Sequence, residues 1–398
     1  MGAALTMSGD AVSLVQESLR SIASAYGYPH ARISLFPTVL MVALRDGDAA
    51  SLLTIDSVRQ LRLDQASAVI AIARRAGAAE LPPAEALADL RRVLEGRPRF
   101  GPAAYIASHG LLTVGLGLVI HPAAVELWVF AALGILVGAM KLWAERFAAT
   151  GYLVAVVAAA VVSAIAFATH KDDAAALRLT IPPLVTFLPG ALLTMATVDL
   201  AMGETITGAS RFVAGLLQLA LLGIGIVVGA ELVGDPGAGP VGTVGTLGAW
   251  APWAGVAIFG VGIFVHDCAP KGSLGWLLVV LFAAWIGQLA GERMLNPALS
   301  GFVGAAVMVP VAHLVARAPH APPAHVMFLP AFWLLVPGAI GLIGVTEIIG
   351  ASADAGSEHF VTALVSIPSI ALGILVGTMV VRAVNAARAS RLVSRLAR

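Results

Sequence analysis

Two proline–glycine pairs stand in apolar surroundings, Pro189-Gly190 and Pro337-Gly338, and an acid follows each proline ten residues later, Asp199 and Glu347. Proline removes a helical N–H and clashes with the preceding turn, and glycine accepts the unwound backbone that results. Broken helices at matching points of a membrane protein are the best sequence pointer to a transport site. Pro189, Gly190, Pro337 and Gly338 are therefore candidate substrate-binding and gating positions. An ionisable group costs about 2.5–3.5 kcal/mol at the centre of a span, so Asp199 and Glu347 are candidates to carry a coupling proton. At about 1.5 Å per residue each acid lies roughly 15 Å from its proline if the helix is straight, near an interface, where simple solvation competes as a reading. Glu204 and Arg211, with Gly203 and Gly208, suggest part of an inner gate, and a solvated loop reads equally well. Thr194 and Thr346 offer hydroxyls close to the breaks, as do Thr186 and Thr197, although such hydroxyls commonly bond back to their own helix. Gln218 and Gln288 are similar, whereas Glu126, His266, Asp267 and His313 fall at or near span ends and read first as surface groups.

Enzyme signatures are missing. The chain has no HExxH, GxSxG or GxxxxGK(S/T) motif and no clustered His/Asp/Glu set, so no catalytic residue, metal or cofactor is expected. Without a phosphate-binding loop, direct ATP-driven export by this chain is disfavoured. Cys268 stands alone, which excludes an intrachain disulfide and any CxxC site.

The elements that must position these residues are mostly membrane helices. Of 398 residues 59% are hydrophobic and 12% charged, with mean hydropathy +0.91. A soluble domain carries roughly 25% charge, so lipid must solvate the surplus apolar surface. A net charge of +1 gives no reason to expect nucleic acid. Residues 1–100 hold 11 Arg and 10 Asp/Glu, and the composition changes after them. They read as a small cytoplasmic α/β domain: a helix capped by Asp10 and running to about residue 26, strands near 33–36, 38–44 and 52–55, a turn at Asp46-Gly47, and helices near 64–76 and 83–94. The first ten residues lack a basic region and an apolar core, so no signal peptide is expected.

Ten apolar runs follow, near 102–120, 124–141, 152–169, 180–200, 209–232, 251–267, 273–290, 297–316, 326–348 and 360–382. Ten spans put both termini on one side. With that side inside, inner segments carry 14 Lys/Arg against 3 outside (Lys171, Arg178 and Arg293), a strong positive-inside bias. The membrane part also repeats at an offset of about 148 residues. Leu188-Pro189-Gly190-Ala191 returns as Val336-Pro337-Gly338-Ala339, Asp199 as Glu347, Phe212 as Phe360, and the pair Gly225/Gly229 as Gly373/Gly377. Five spans per unit is an odd number, so the second unit must enter from the opposite side. The expected fold is an all-α polytopic membrane bundle of about ten helices, two inverted five-helix repeats, behind the α/β domain. Its divisions are 1–100, repeat 101–234, an outer linker 235–248, repeat 249–384 and a basic cytoplasmic tail 385–398.

The run Phe187-Leu188-Pro189-Gly190-Ala191-Leu192-Leu193-Thr194, then Asp199-Leu200-Ala201-Met202-Gly203, then Thr207-Gly208-Ala209-Ser210-Arg211-Phe212, resembles the threonine/serine exporter family. The soluble segment with Tyr26-Gly27 and Phe36-Pro37-Thr38 is similar to that family's N-terminal domain. The resemblance implies export of L-threonine and L-serine driven by the proton motive force, in a bacterial cytoplasmic membrane. Its partners would be a small amino-acid substrate, protons and the lipid bilayer, and a homo-oligomer is one option. The second half departs from the motif, with Ser357-Glu358-His359-Phe360 where the first has Ser-Arg-Phe. Export of another metabolite such as a dicarboxylate, or a sensor or membrane-embedded enzyme using the N-terminal domain, are the alternatives.

Overall fold

The computed structural model describes residues 1–398 apart from 46, 48, 56–59, 121–125, 148–150, 171–172, 235–246, 320, 336–340, 347–352 and 397–398. At the N-terminus, helices α1 (Gly2–Met7) and α2 (Val12–Ala25) precede strands β1 (Arg32–Leu35), β2 (Val39–Ala43) and β3 (Ser51–Thr54), then helices α3 (Leu63–Gly77) and α4 (Pro83–Glu95). The strands form an antiparallel meander in the order β1-β2-β3, with Ile33 opposite Val42 and Leu35 opposite Leu40. Ile33, Leu35 and Leu40 turn inward onto Val12, Val15 and Leu19 of α2 and Val69 and Ala73 of α3. The expected strands and helices are present, shifted by a residue or two, and α1 is additional. The Asp46-Gly47 turn lies partly outside the described residues. Asp10 does not cap α2, whose N-cap is Ala11 with no side-chain bond; its carboxylate is drawn instead to His325 of the helical bundle.

The bundle comprises α5 (Pro102–Ile120), α6 (Leu127–Ala144), α7 (Gly151–Thr169), α8 (Asp173–Thr180), a 3-10 turn (Pro182–Phe187), α9 (Gly190–Ala201) and α10 (Thr205–Val233). After the linker come α11 (Ala251–His266), α12 (Leu274–Met294), α13 (Pro297–Val315), α14 (Ala324–Phe328), α15 (Ala331–Leu334), α16 (341–346) and α17 (Ala353–Leu396). Among the described residues, eight helices are long and apolar enough to cross a membrane, and Ala251–His266 and Ala324–Leu334 are shorter apolar segments. The run near 326–348 is not one straight helix: it is interrupted at Leu329-Pro330, and Pro337-Gly338 lie outside the described residues. α17 continues through the Ala- and Arg-rich residues to Leu396, most of them good helix formers.

Close approach of backbones holds the bundle together, as expected where lipid supplies no drive for helices to associate. α5 and α11 run antiparallel. Tyr105 near the start of α5 stacks on His266 at the end of α11 with centroids 4.4 Å apart. Midway, a Cβ added to Gly115 would lie 2.8 Å from the Gly255 oxygen, so only glycine fits. The two halves also use their glycines alike. A Cβ on Gly225 would strike the Val156 oxygen and Ala159 Cβ, and one on Gly373 the Phe302 oxygen and Ala305 Cβ.

The N-terminal unit sits on one end of this bundle. Ala11, Leu63 and Ala66 join a common apolar cluster with Val198, Val326 and Phe328. Polar ties flank the seam. Val12 N–H donates to Asp199 Oδ1 at 2.9 Å, Leu63 N–H donates to the Asp267 main-chain oxygen at 2.9 Å, and His325 Nδ1 lies 2.9 Å from Asp10 Oδ1.

Candidate substrate-binding site

The helix break falls where the proline predicts it. The 3-10 turn ends at Phe187, Leu188 is extended (φ −67°, ψ 125°), and α9 restarts at Gly190 behind Pro189. Gln218 of α10 donates its side-chain amide to the Phe187 oxygen, bracing the backbone next to the break. Pro189 lines a cavity of about 620 Å³. Tyr105, Lys141, Thr186, His266 and Asp267 line it from the bundle, and Gln60, Arg62 and Leu63 close it from the N-terminal unit.

Polar groups in and beside this cavity form a chain. Lys141, in the last turn of α6, donates to Thr186 Oγ1 at 2.8 Å and lies 5.2 Å from the Phe187 ring centroid. His109 Nε2 stands 3.1 Å from the same hydroxyl. A lysine only donates, so Thr186 accepts from Lys141 and is free to donate to His109. His109 in turn meets His266 edge-on with centroids 5.4 Å apart. Asp267 follows directly after α11. Among the described residues its carboxylate has no hydrogen bond and no ion pair. Burial pushes its pKa up to about 6, against the opposing pull of the Lys141 charge.

The predicted acid Asp199 lies elsewhere and is fully buried. Its Oδ2 pairs with Arg211 Nη1 at 2.6 Å while Oδ1 accepts from Val12 N–H. The N-terminal unit covers this end of α9, which is why an acid at a helix end is not solvated. Glu204 is the N-cap of α10, half-buried, and its main-chain N–H donates to the Asp199 main-chain oxygen at 2.9 Å. Gly190 and Thr194 are buried in α9, and the Thr194 hydroxyl has no hydrogen-bond partner among the described residues. Thr346 donates back to the Leu342 oxygen at 2.8 Å. Pro337, Gly338 and Glu347 lie outside the described residues. The structure thus joins Pro189 to the cavity and Asp199 to Arg211, in two separate places.

In the sequence Lys141 counts only as one of the 14 inner positive charges, Asp267 and His266 as span-end groups, and His109 carries no signal. The available signal was that Lys141 is the single charge in the 18 residues of α6.

Apolar helices of spanning length, with a charged cavity set against a helix break, define a multi-pass membrane protein. Residues 1–233, more than half of the chain, match the family described as "Putative threonine/serine exporter", and the chain belongs to this family of transporters. The match ends on the last residue of α10, so it spans the N-terminal unit and the first half of the bundle. Comparison with curated proteins and with solved structures gives no match.

Proposed function

We propose that the chain exports small hydroxy amino acids, L-threonine and L-serine, from the cytoplasm as a proton-driven secondary transporter of the bacterial inner membrane. The observation that carries this reading is the cavity at the Pro189 break, which holds a cation and a carboxylate within one apolar bundle. A zwitterion needs both, whereas a dicarboxylate would meet Asp267 as a like charge. Family membership supports the solute, and the absence of a phosphate-binding loop supports secondary transport.

Alternating access needs two similar gates on opposite faces. Ten spans in two inverted five-helix repeats, 101–234 and 249–384, would supply them. The antiparallel packing of the repeat partners α5 and α11 supports that arrangement, as do the matched contacts of Gly225 and Gly373. The segment carrying Asp199 meets the N-terminal unit with its C-terminal end, while its repeat counterpart meets the same unit at His325, its N-terminal end. The domain 1–100 and the tail 385–398 then lie in the cytoplasm.

The coupling proton is assigned to Asp199 or Glu347, since protonating Asp199 would release Arg211 and loosen that end of α9. Reconstituted protein should move labelled threonine and serine, not succinate, and faster with an imposed pH gradient. Asp199→Asn or Glu347→Gln, whichever removes the coupling group, should abolish the gradient effect and keep exchange at equal pH. Succinate transport without threonine transport overturns the amino-acid reading.

A further inference from the structure

The cavity beside Pro189 offers one cation with spare donors and one carboxylate without a partner, on different elements. Lys141 carries three N–H donors and spends one on Thr186. Asp267, directly after α11, lines the same cavity with its carboxylate uncommitted among the described residues. The third charge bordering the space, Arg62, is already held by Asp64 at 3.1 Å and by the Gly96 oxygen at 3.1 Å. Glu145 is exposed.

Two half-buried charges that do not pair with each other are costly to keep in a bundle unless a ligand answers them. Both are answered at once by a molecule bearing a carboxylate and an ammonium on one carbon. A diacid leaves Asp267 opposed and a diamine leaves Lys141 opposed. The walls fit a small solute: the stacked Tyr105–His266 pair closes one side and Pro189 another. Thr186 fixes the direction of the lysine head, and His109 fixes Thr186.

We infer that Lys141 binds the α-carboxylate, and Asp267 the α-ammonium, of the amino acid in this cavity. The assignment rests on the export reading and adds the orientation of the solute and the groups that hold it.

The test crosses ligands lacking one charge with variants lacking the matching partner. Full-length protein in lipid nanodiscs is titrated by competition against labelled threonine, using threonine, threoninol (no carboxylate) and 3-hydroxybutyrate (no ammonium). Wild type should prefer threonine over both by roughly tenfold or more, the usual worth of a hydrogen bond to a charged group. Lys141→Met should weaken threonine by a similar factor and leave threoninol unchanged, while Lys141→Arg restores threonine. Asp267→Asn should weaken threonine and leave 3-hydroxybutyrate unchanged. If Lys141→Met and Asp267→Asn weaken all three ligands alike, or none, the assignment is wrong although wild type binds threonine. If wild type binds no threonine at all, the export reading falls and the assignment with it.

Discussion

If Asp267 holds the ammonium as inferred, solute binding answers to pH. Its carboxyl is pushed up to about 6 by burial, so it is charged above that value and neutral below it. The groups that face the same cavity are Lys141 and Glu145 at the end of α6, His266 on α11 and Arg62 from the N-terminal unit. Only the charged carboxylate attracts an ammonium. Threonine affinity should therefore rise between about pH 5 and about pH 7 and level off above, the span of a single carboxyl titrating near 6. Asp267→Asn should bind weakly with a flat profile across that range, as read by competition binding. A wild-type profile that falls over the same interval contradicts the role given to Asp267. Asp199 shows the other fate of a buried acid in this bundle: with Arg211 at 2.6 Å and a main-chain N–H on its second oxygen, both oxygens are satisfied.

The N-terminal unit covers one end of the bundle through a few single contacts. Gln60, Arg62 and Leu63 line the cavity, so a solute from that side must pass them. The unit is held at three helix ends, by Val12 on Asp199, Leu63 on Asp267 and Asp10 on His325. His325 also reaches the Ser8 oxygen with Nε2 at 3.0 Å, so one ring ties two points of the same loop. Cys268, the single thiol, is 4% exposed and adjoins the residue that receives Leu63. Asp10→Asn or His325→Gln should raise the rate of maleimide labelling at Cys268 by roughly tenfold or more, the worth of one lost charged hydrogen bond. An unchanged rate means that this contact does not hold the unit. The sequence reading found the strands, because runs such as Val39–Ala43 are apolar and bounded by turn residues, and found the break at Pro189 because proline acts locally. It misassigned Asp10, for which a local cap and a partner on α14 look identical in one dimension. Lys141 and Asp267 were passed over for the same reason: each looks like an ordinary charge at a span end, and only folding brings α6 and α11 to one cavity.

At the scale of the whole molecule, the proposed mechanism depends on how often the chain crosses the bilayer before residue 235. Exposed aromatic residues mark both ends of the bundle, as interface belts do. Trp128 and Trp250 stand at the starts of α6 and α11, while Trp143 lies in the last turn of α6 and Tyr152 in the first turn of α7. With residues 1–100 in the cytoplasm, the ten-span arrangement sets the first pair outside and the second pair inside. In a Cys268→Ser background, single cysteines at Ala49 and Ala387 should resist a membrane-impermeant maleimide in intact cells, and cysteines at Ala249 and Leu295 should react. All four positions are exposed in the fold, so a lack of reaction reports sidedness rather than burial. Labelling of Ala49 and Ala387 but not of Ala249 and Leu295 would reverse the orientation and turn export into uptake. Ala49 and Ala249 on one side would be more damaging. The first half would then cross an even number of times, the second half would enter in the same direction, and no symmetry would remain to build a gate on each face of the cavity.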